Sequence, residues 1–184
     1  VRQGKINKAL QRAEALRNSR PNSTIGDIIA GDTLMRAHRP AEALEAYKVA
    51  FKRAPNSHIV ARLFKAHRAV SSVTAALPHL AGWVASHPED IQSRRLLASA
   101  YGDLGKTKIA IQHSEIILRK LPNDAAILNN LALLYQSTND SRSLAYAERA
   151  FKHAPKHPAT LDSLGWVLVQ RGDMARGLKF LRMA

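Results

Sequence analysis

AEALEAYKVAFKRAP at residues 41–55 and SRSLAYAERAFKHAP at residues 141–155 are two copies of one pattern. In each, apolar residues recur at spacings of three and four, which is one face of a helix. Each copy closes on a proline, which cannot continue a helix and forces an extended residue before it. The same proline falls at Pro21, Pro55, Pro88, Pro122 and Pro155, at intervals of 34, 33, 34 and 33 residues. A period in that range means stacked helical repeats. Asn22, Asn56 and Asn123 follow three of these prolines and supply turn chemistry. After each proline a second periodic stretch begins, as in DAAILNNLALLYQ from Asp124 and HPATLDSLGWVLVQ from His157, and it ends in a turn such as HRPAE, GDLGK, STND or QRGD. Each unit is therefore an inner helix, a short turn, an outer helix and a proline turn, and about 34 residues hold two helices of roughly 12 to 15 residues with their connections.

A second set of positions keeps the same beat. Ala9, Ala43, Ala76, Ala110, Ser143 and Gly177 recur at intervals of 34, 33, 34, 33 and 34 on the outer helices, and all are small. Small residues are needed where two paired helices approach closely, and Gly31, Ala98, Ala132 and Gly165 meet that need on the inner helices. Lys65 is read as the occupant of this slot in the unit from His58 to Pro88. That unit also has SSVT in place of a glycine turn and Pro78 inside its outer helix, so either the helix starts late, near Ala76, or the array bends there. Leu34, Tyr101, Tyr135 and Leu168 on inner helices, and Tyr47, Leu80 and Leu181 on outer ones, read as core.

The predicted fold is all-α: a right-handed superhelical solenoid of antiparallel helix pairs over residues 1–184. Residues 1–23 form an outer helix of a preceding unit, 24–57, 58–90, 91–124 and 125–157 are full repeats, and 158–184 is an incomplete last one. Val1 in place of Met, and an end inside the helix begun near Asp173, read as a piece of a longer array.

Composition bounds the function. The 184 residues lack cysteine, which excludes a disulfide framework or thiolate metal site but leaves the compartment open. No apolar run of about 18 residues and no apolar leader segment occurs. A net charge of +14 predicts attraction to polyanions. The eight histidines are scattered, with His153 and His157 straddling Pro155, and no nucleophile elbow or phosphate-binding glycine loop occurs. The expectation is therefore a protein that is not an enzyme and takes neither metal nor cofactor.

The order of small residue, aromatic or Leu, turn, Ala, aromatic, Ala, Pro resembles the tetratricopeptide repeat over the whole chain. The match runs through Gly31, Leu34, Ala43, Tyr47, Ala50 and Pro55 in the first full repeat, and through Leu164, Gly165, Leu168, Gly172, Gly177 and Ala184 in the last. The large aromatic usual near the start of the inner helix is replaced by Asp27, Ala61, Arg94, Leu128 and Leu161. More narrowly, ILNNLALLYQ at residues 127–136, SLAYAERAFKHAP and TLDSLGWVLVQRGD resemble the carboxyl-terminal repeats of bacterial lipoproteins associated with exopolysaccharide production and the PEP-CTERM sorting system. That resemblance implies a periplasmic or envelope location, with an anchor upstream; a cytoplasmic setting is the alternative.

The family resemblance implies a noncatalytic scaffold whose inner helices line a concave groove for a peptide or partner protein. Carried onto this sequence, the groove candidates are Ile28 and Asp32, Arg62 and Ala66, Arg95 and Ser99, Asn129 and Leu133, and Asp162 and Trp166, with Lys65 adding positive charge. The chaperone-tail clamp of the family needs Lys and Asn where this chain has Ile28 and Asp32, so that ligand is not expected. Asn129 and Asn130 offer amides to a peptide backbone, or Asn130 braces the neighbouring inner helix. Arg62 and Arg95 either take a carboxylate in bidentate fashion or are solvated charges. Trp166 is either a groove anchor or a surface for a further repeat.

Apart from Arg62, Lys65 and Arg68 the groove is nearly neutral. The excess charge falls on the first twenty residues and on outer helices, at Lys52, Arg53, Arg119, Lys120, Arg149, Lys152, Arg176 and Lys179. A basic convex back is usually a solvated face. The second reading is weak binding of an anionic polymer, polysaccharide or nucleic acid, on that back. The RNA-reading relatives use a basic inner groove, which this chain lacks.

Overall fold

The computed structural model describes residues 2–184; Val1 lies outside the described residues. Among the described residues there are eleven α-helices and no strand: α1 (Arg2–Ser19), α2 (Ile25–Arg36), α3 (Pro40–Arg53), α4 (Ser57–Val70), α5 (Val73–Ser86), α6 (Ile91–Asp103), α7 (Thr107–Lys120), α8 (Ala125–Gln136), α9 (Arg142–His153), α10 (Pro158–Gln170) and α11 (Met174–Leu181). Even-numbered helices are the inner ones. The chain divides into two compact units, Val1–Ser93 and Arg94–Ala184, with the division inside α6. In the first, α1 packs on α2, α2 on α3, α3 on α4 and α4 on α5. In the second, α7 packs on α8, α8 on α9, α9 on α10 and α10 on α11, and α8 also meets α10.

Local chemistry sets the helix ends. Asn56, Ser72, Asp124 and Asp173 accept hydrogen bonds from the backbone N–H of Ile59, Ala75, Ile127 and Arg176, satisfying donors that have no partner within the helix. The histidine beside Pro155 has a structural task of the same kind: His157 Nδ1 accepts from Ala159 N at 3.2 Å. Four inner-to-outer turns place one residue in the left-handed region: His38, Gly105, Asn139 and Gly172. The α4–α5 connection has no such residue; Ser71 and Ser72 alone join the helices.

The small residues meet where the pairs close. Ala43 and Ala110 are fully buried, as is Ser143, and Gly177 is buried too. Between α10 and α11 the approach is backbone to backbone. A Cβ on Gly165 would lie 2.9 Å from the Gly177 carbonyl oxygen, and one on Gly177 would lie 2.8 Å from the Gly165 carbonyl oxygen. These obstacles are backbone, so they cannot rotate away.

The irregular unit departs from expectation in two respects. The eighth residues of α6, α8 and α10 are Ala98, Ala132 and Gly165; the eighth of α4 is Phe64, 3% exposed. Phe64 therefore holds the closely packed slot, while Lys65 is exposed and Ala66 is fully buried. The assignments of Lys65 to the slot and of Ala66 to the groove are thus corrected by one residue. The cause is the short α3–α4 connection: only Ala54, Pro55 and Asn56 separate these helices, against four residues between α5 and α6, α7 and α8, and α9 and α10, so α4, capped by Asn56, starts one residue closer to its proline. Nor does α5 start late. It begins at Val73 because Ser72 caps it, and Pro78 is tolerated inside it on the exposed side, where water can reach the carbonyl that has lost its partner.

Replacement of Gly165 by Ala separates two effects of opposite sign. Helix propensity alone favours Ala by about 1 kcal/mol, whereas overpacking against a fixed backbone costs about 1–3 kcal/mol. Gly165→Ala is expected to lower the thermal midpoint measured by circular dichroism; a raised midpoint would show that the helices are not held at this approach.

Candidate functional site

In place of an aromatic near the start of α2, Asp27 sits 2% exposed. Its carboxylate accepts from Arg17 Nε at 2.6 Å and Arg53 Nη1 at 2.5 Å, and Arg53 also donates to the Ser23 carbonyl at 2.9 Å. A lone buried carboxylate would be strongly destabilising, so three successive helices are tied here by charge. Arg94 is likewise buried, with Nη1 3.3 Å from His113 Nδ1. Burial, reinforced by the Arg94 charge, lowers the His113 pKa.

On the inner-helix face of the first unit, Asp32 accepts from Tyr47 Oη at 2.6 Å and from Arg62 Nε and Nη2 at 2.9 and 3.2 Å. Burial by itself raises the Asp32 pKa, but the bonds from Arg62 and Tyr47 together hold it below its ordinary value. In the second unit Arg95 clasps Asp124 through both guanidinium nitrogens, while Asp124 also caps α8. Arg62 and Arg95, each partly exposed, thus already bind a carboxylate across neighbouring inner helices. A capping Asp 29 residues after an Arg is the sequence signal for the second pair.

The two asparagines also resolve. Asn129 is turned into the packing, 8% exposed, with Oδ1 buried and lacking a hydrogen-bond partner. It is removed from the groove face, and Asn130 is the exposed member. Ser99, Leu133 and Trp166 are the ninth residues of α6, α8 and α10, and all three are exposed. Leu133 is 40% and Trp166 48% exposed, large values for apolar side chains on helices packed together. Asn130, Leu133 and Ser99 line a shallow pocket of about 170 Å³ with Gly102 and Ser114. Asp162 lies exposed on the first half of α10. In the first unit, Lys65 is the ninth residue of α4 and holds the equivalent exposed position; Ile28 is half-buried on α2.

Several outer-helix cations are occupied internally. Arg53 is held by Asp27, Arg149 donates to the Pro122 carbonyl at 3.2 Å and lies over Tyr146, and Arg176 reaches Asp173 and Glu148. The basic back is thus partly a set of packing contacts.

Comparison with known proteins agrees with this architecture. A structure of BtubC from P. vanneervenii superposes with a TM-score of 0.80 at 17% identity, covering 97% of this chain and 86% of that one. A structure of YrrB, described as a TPR protein with an unusual peptide-binding site, gives 0.67 at 17% identity, covering 86% and 82%. The fold is that of a tetratricopeptide-repeat protein. Residues 1–60 match the tetratricopeptide repeat family model, which supports the same assignment. A TPR repeat-containing protein of Pseudomonas aeruginosa is 26% identical over 160 residues. The alignment covers 83% of this chain but only 27% of the relative's length. No helix among the described residues is long and apolar enough to cross a membrane.

The ion pairs set a pH dependence. The bond from Arg95 holds the Asp124 carboxyl below its ordinary 3.8 although burial opposes it, and the bond from Arg142 pulls Asp140 to about 2. A carboxyl whose folded pKa lies below its unfolded one stabilises the fold above the unfolded value, and this is lost as pH falls through the folded value. Stability is expected to decline from about pH 4 downward. Arg95→Gln, which removes charge-assisted hydrogen bonds, should cost about 1–3 kcal/mol at pH 7, and the gap from the unsubstituted protein should narrow as pH falls below the ordinary carboxylate value of 3.8. A gap independent of pH would contradict the assignment of that energy to Asp124.

Proposed function

We propose that this chain is a noncatalytic protein-binding scaffold, and that the second unit carries the contact surface. The observation that supports this most is the row Ser99, Leu133 and Trp166 at one helical position on three inner helices, with two large apolar side chains left exposed. The nearby arginine is already satisfied, so the row offers apolar contact and the Asn130 amide rather than net charge. Such a surface suits an extended peptide that carries an apolar or aromatic anchor, with its main chain bonded by Asn130. Asp162 at one edge favours a basic residue beside the anchor. The peptide-binding site ascribed to YrrB lends support by analogy of fold. The finer setting we propose is a bacterial envelope assembly that makes or exports polysaccharide, on the resemblance of residues 127–136 and the following segments to repeats of that system. The internal use of Arg53, Arg149 and Arg176 weighs against the basic back as the main contact.

A photo-crosslinking amino acid at Leu133 or Trp166 of the protein, expressed in its own cells, should join one discrete protein, and one at Arg119 should not. Capture should persist at raised salt, since counterion-driven binding falls steeply there. Crosslinks from Arg119 alone, lost with salt, would move the function to the basic back.

A further inference from the structure

The irregular unit encloses an apolar cavity with a basic edge. Between α3, α4 and α5 lies a cavity of about 430 Å³, within the size range of small-molecule sites. Its floor is apolar: Leu44, Val60, Phe64, Ala76 and Leu80 are each no more than 8% exposed. Phe51 and Leu63 form the walls. The remaining lining is basic or imidazole: Lys48, Lys52, His67 and His79, the two rings 5.7 Å apart. No carboxylate lines it. Glu45 pairs with Lys48 at 2.7 Å on the exposed side, and Lys52 has no ion pair among the described residues. Phe64 in a slot that elsewhere holds Ala or Gly makes a bulky contact there, and the displaced register brings His67 to the mouth.

We propose that this cavity binds an acyl chain bearing an anionic head, the chain in the apolar floor and the head between Lys48 and Lys52. An apolar floor calls for a hydrocarbon, enclosure by three helices calls for a slender one, and a mouth with cations and no acid calls for negative charge. This site is separate from the inner-helix row of the second unit and does not depend on it.

The test uses the chain as it stands. Calorimetric titration with monomeric dodecanoate, below its micelle concentration, should show one saturable site, with affinity falling about fourfold for each methylene removed on passing to decanoate and octanoate. Lys48→Glu with Lys52→Glu, both exposed, should weaken dodecanoate at least tenfold and leave dodecanol unchanged. Ala76→Phe, with helicity checked by circular dichroism, should abolish both; if it fails to fold, the lysine pair alone decides. Cosedimentation with phosphatidylglycerol vesicles, lost in the lysine variant, would assign the acyl chain to a membrane lipid, and saturable binding of the monomeric acid would assign it to a free fatty acid. Absence of both overturns the proposal, as does binding that neither the lysine pair nor Ala76→Phe alters.

Discussion

Close approach of paired helices through one small residue on each is the constraint on which the rest depends. At α10 and α11 it reduces to backbone against backbone, Gly165 facing Gly177. Once that contact is fixed, the rotation of each helix about its axis is fixed too, and with it the side chains that face outward. The residue following the small one in α6, α8 and α10 must then be exposed, which is why Ser99, Leu133 and Trp166 form a row. The proposed contact surface follows from the packing, without any further feature.

Charge is distributed by the same geometry. Positions where the repeat usually puts an aromatic hold Asp27 and Arg94, and each is buried. Asp27 recruits Arg17 and Arg53 from the helices on either side. Asp32 with Arg62, and Asp124 with Arg95, link neighbouring inner helices. A chain of net charge +14 thus spends part of its excess on holding repeats together, and its charge total overstates what remains for a polyanion.

The helix pairs, their turns and the small contacts were legible in the sequence because they repeat, and repetition averages out local ambiguity. What escaped was single and non-local. The one-residue shift of α4 was hidden because the proline interval of 33 records that a residue is missing but not where. Only the capping of α4 by Asn56, directly after Pro55, places the deletion in the α3–α4 connection, and this exchanges Lys65 with Phe64 and removes Ala66 from the groove. Asn129 and Asn130 are adjacent and chemically identical, so pattern alone could not say which one faces in. The partners of Asp27 lie 10 and 26 residues away, spacings that no local rule connects.

The central claim is that packing at the small slot, displaced by one residue in α4, decides which side chains are open to a partner. The chain has no cysteine, so single cysteines report accessibility without background. Maleimide labelling of folded Lys65→Cys, Asn130→Cys and Trp166→Cys is predicted to proceed at rates near those of the unfolded chain, while Ala66→Cys and Asn129→Cys stay protected until denaturant is added. Fast labelling at Ala66→Cys with protection at Lys65→Cys would restore the unshifted register and contradict the account.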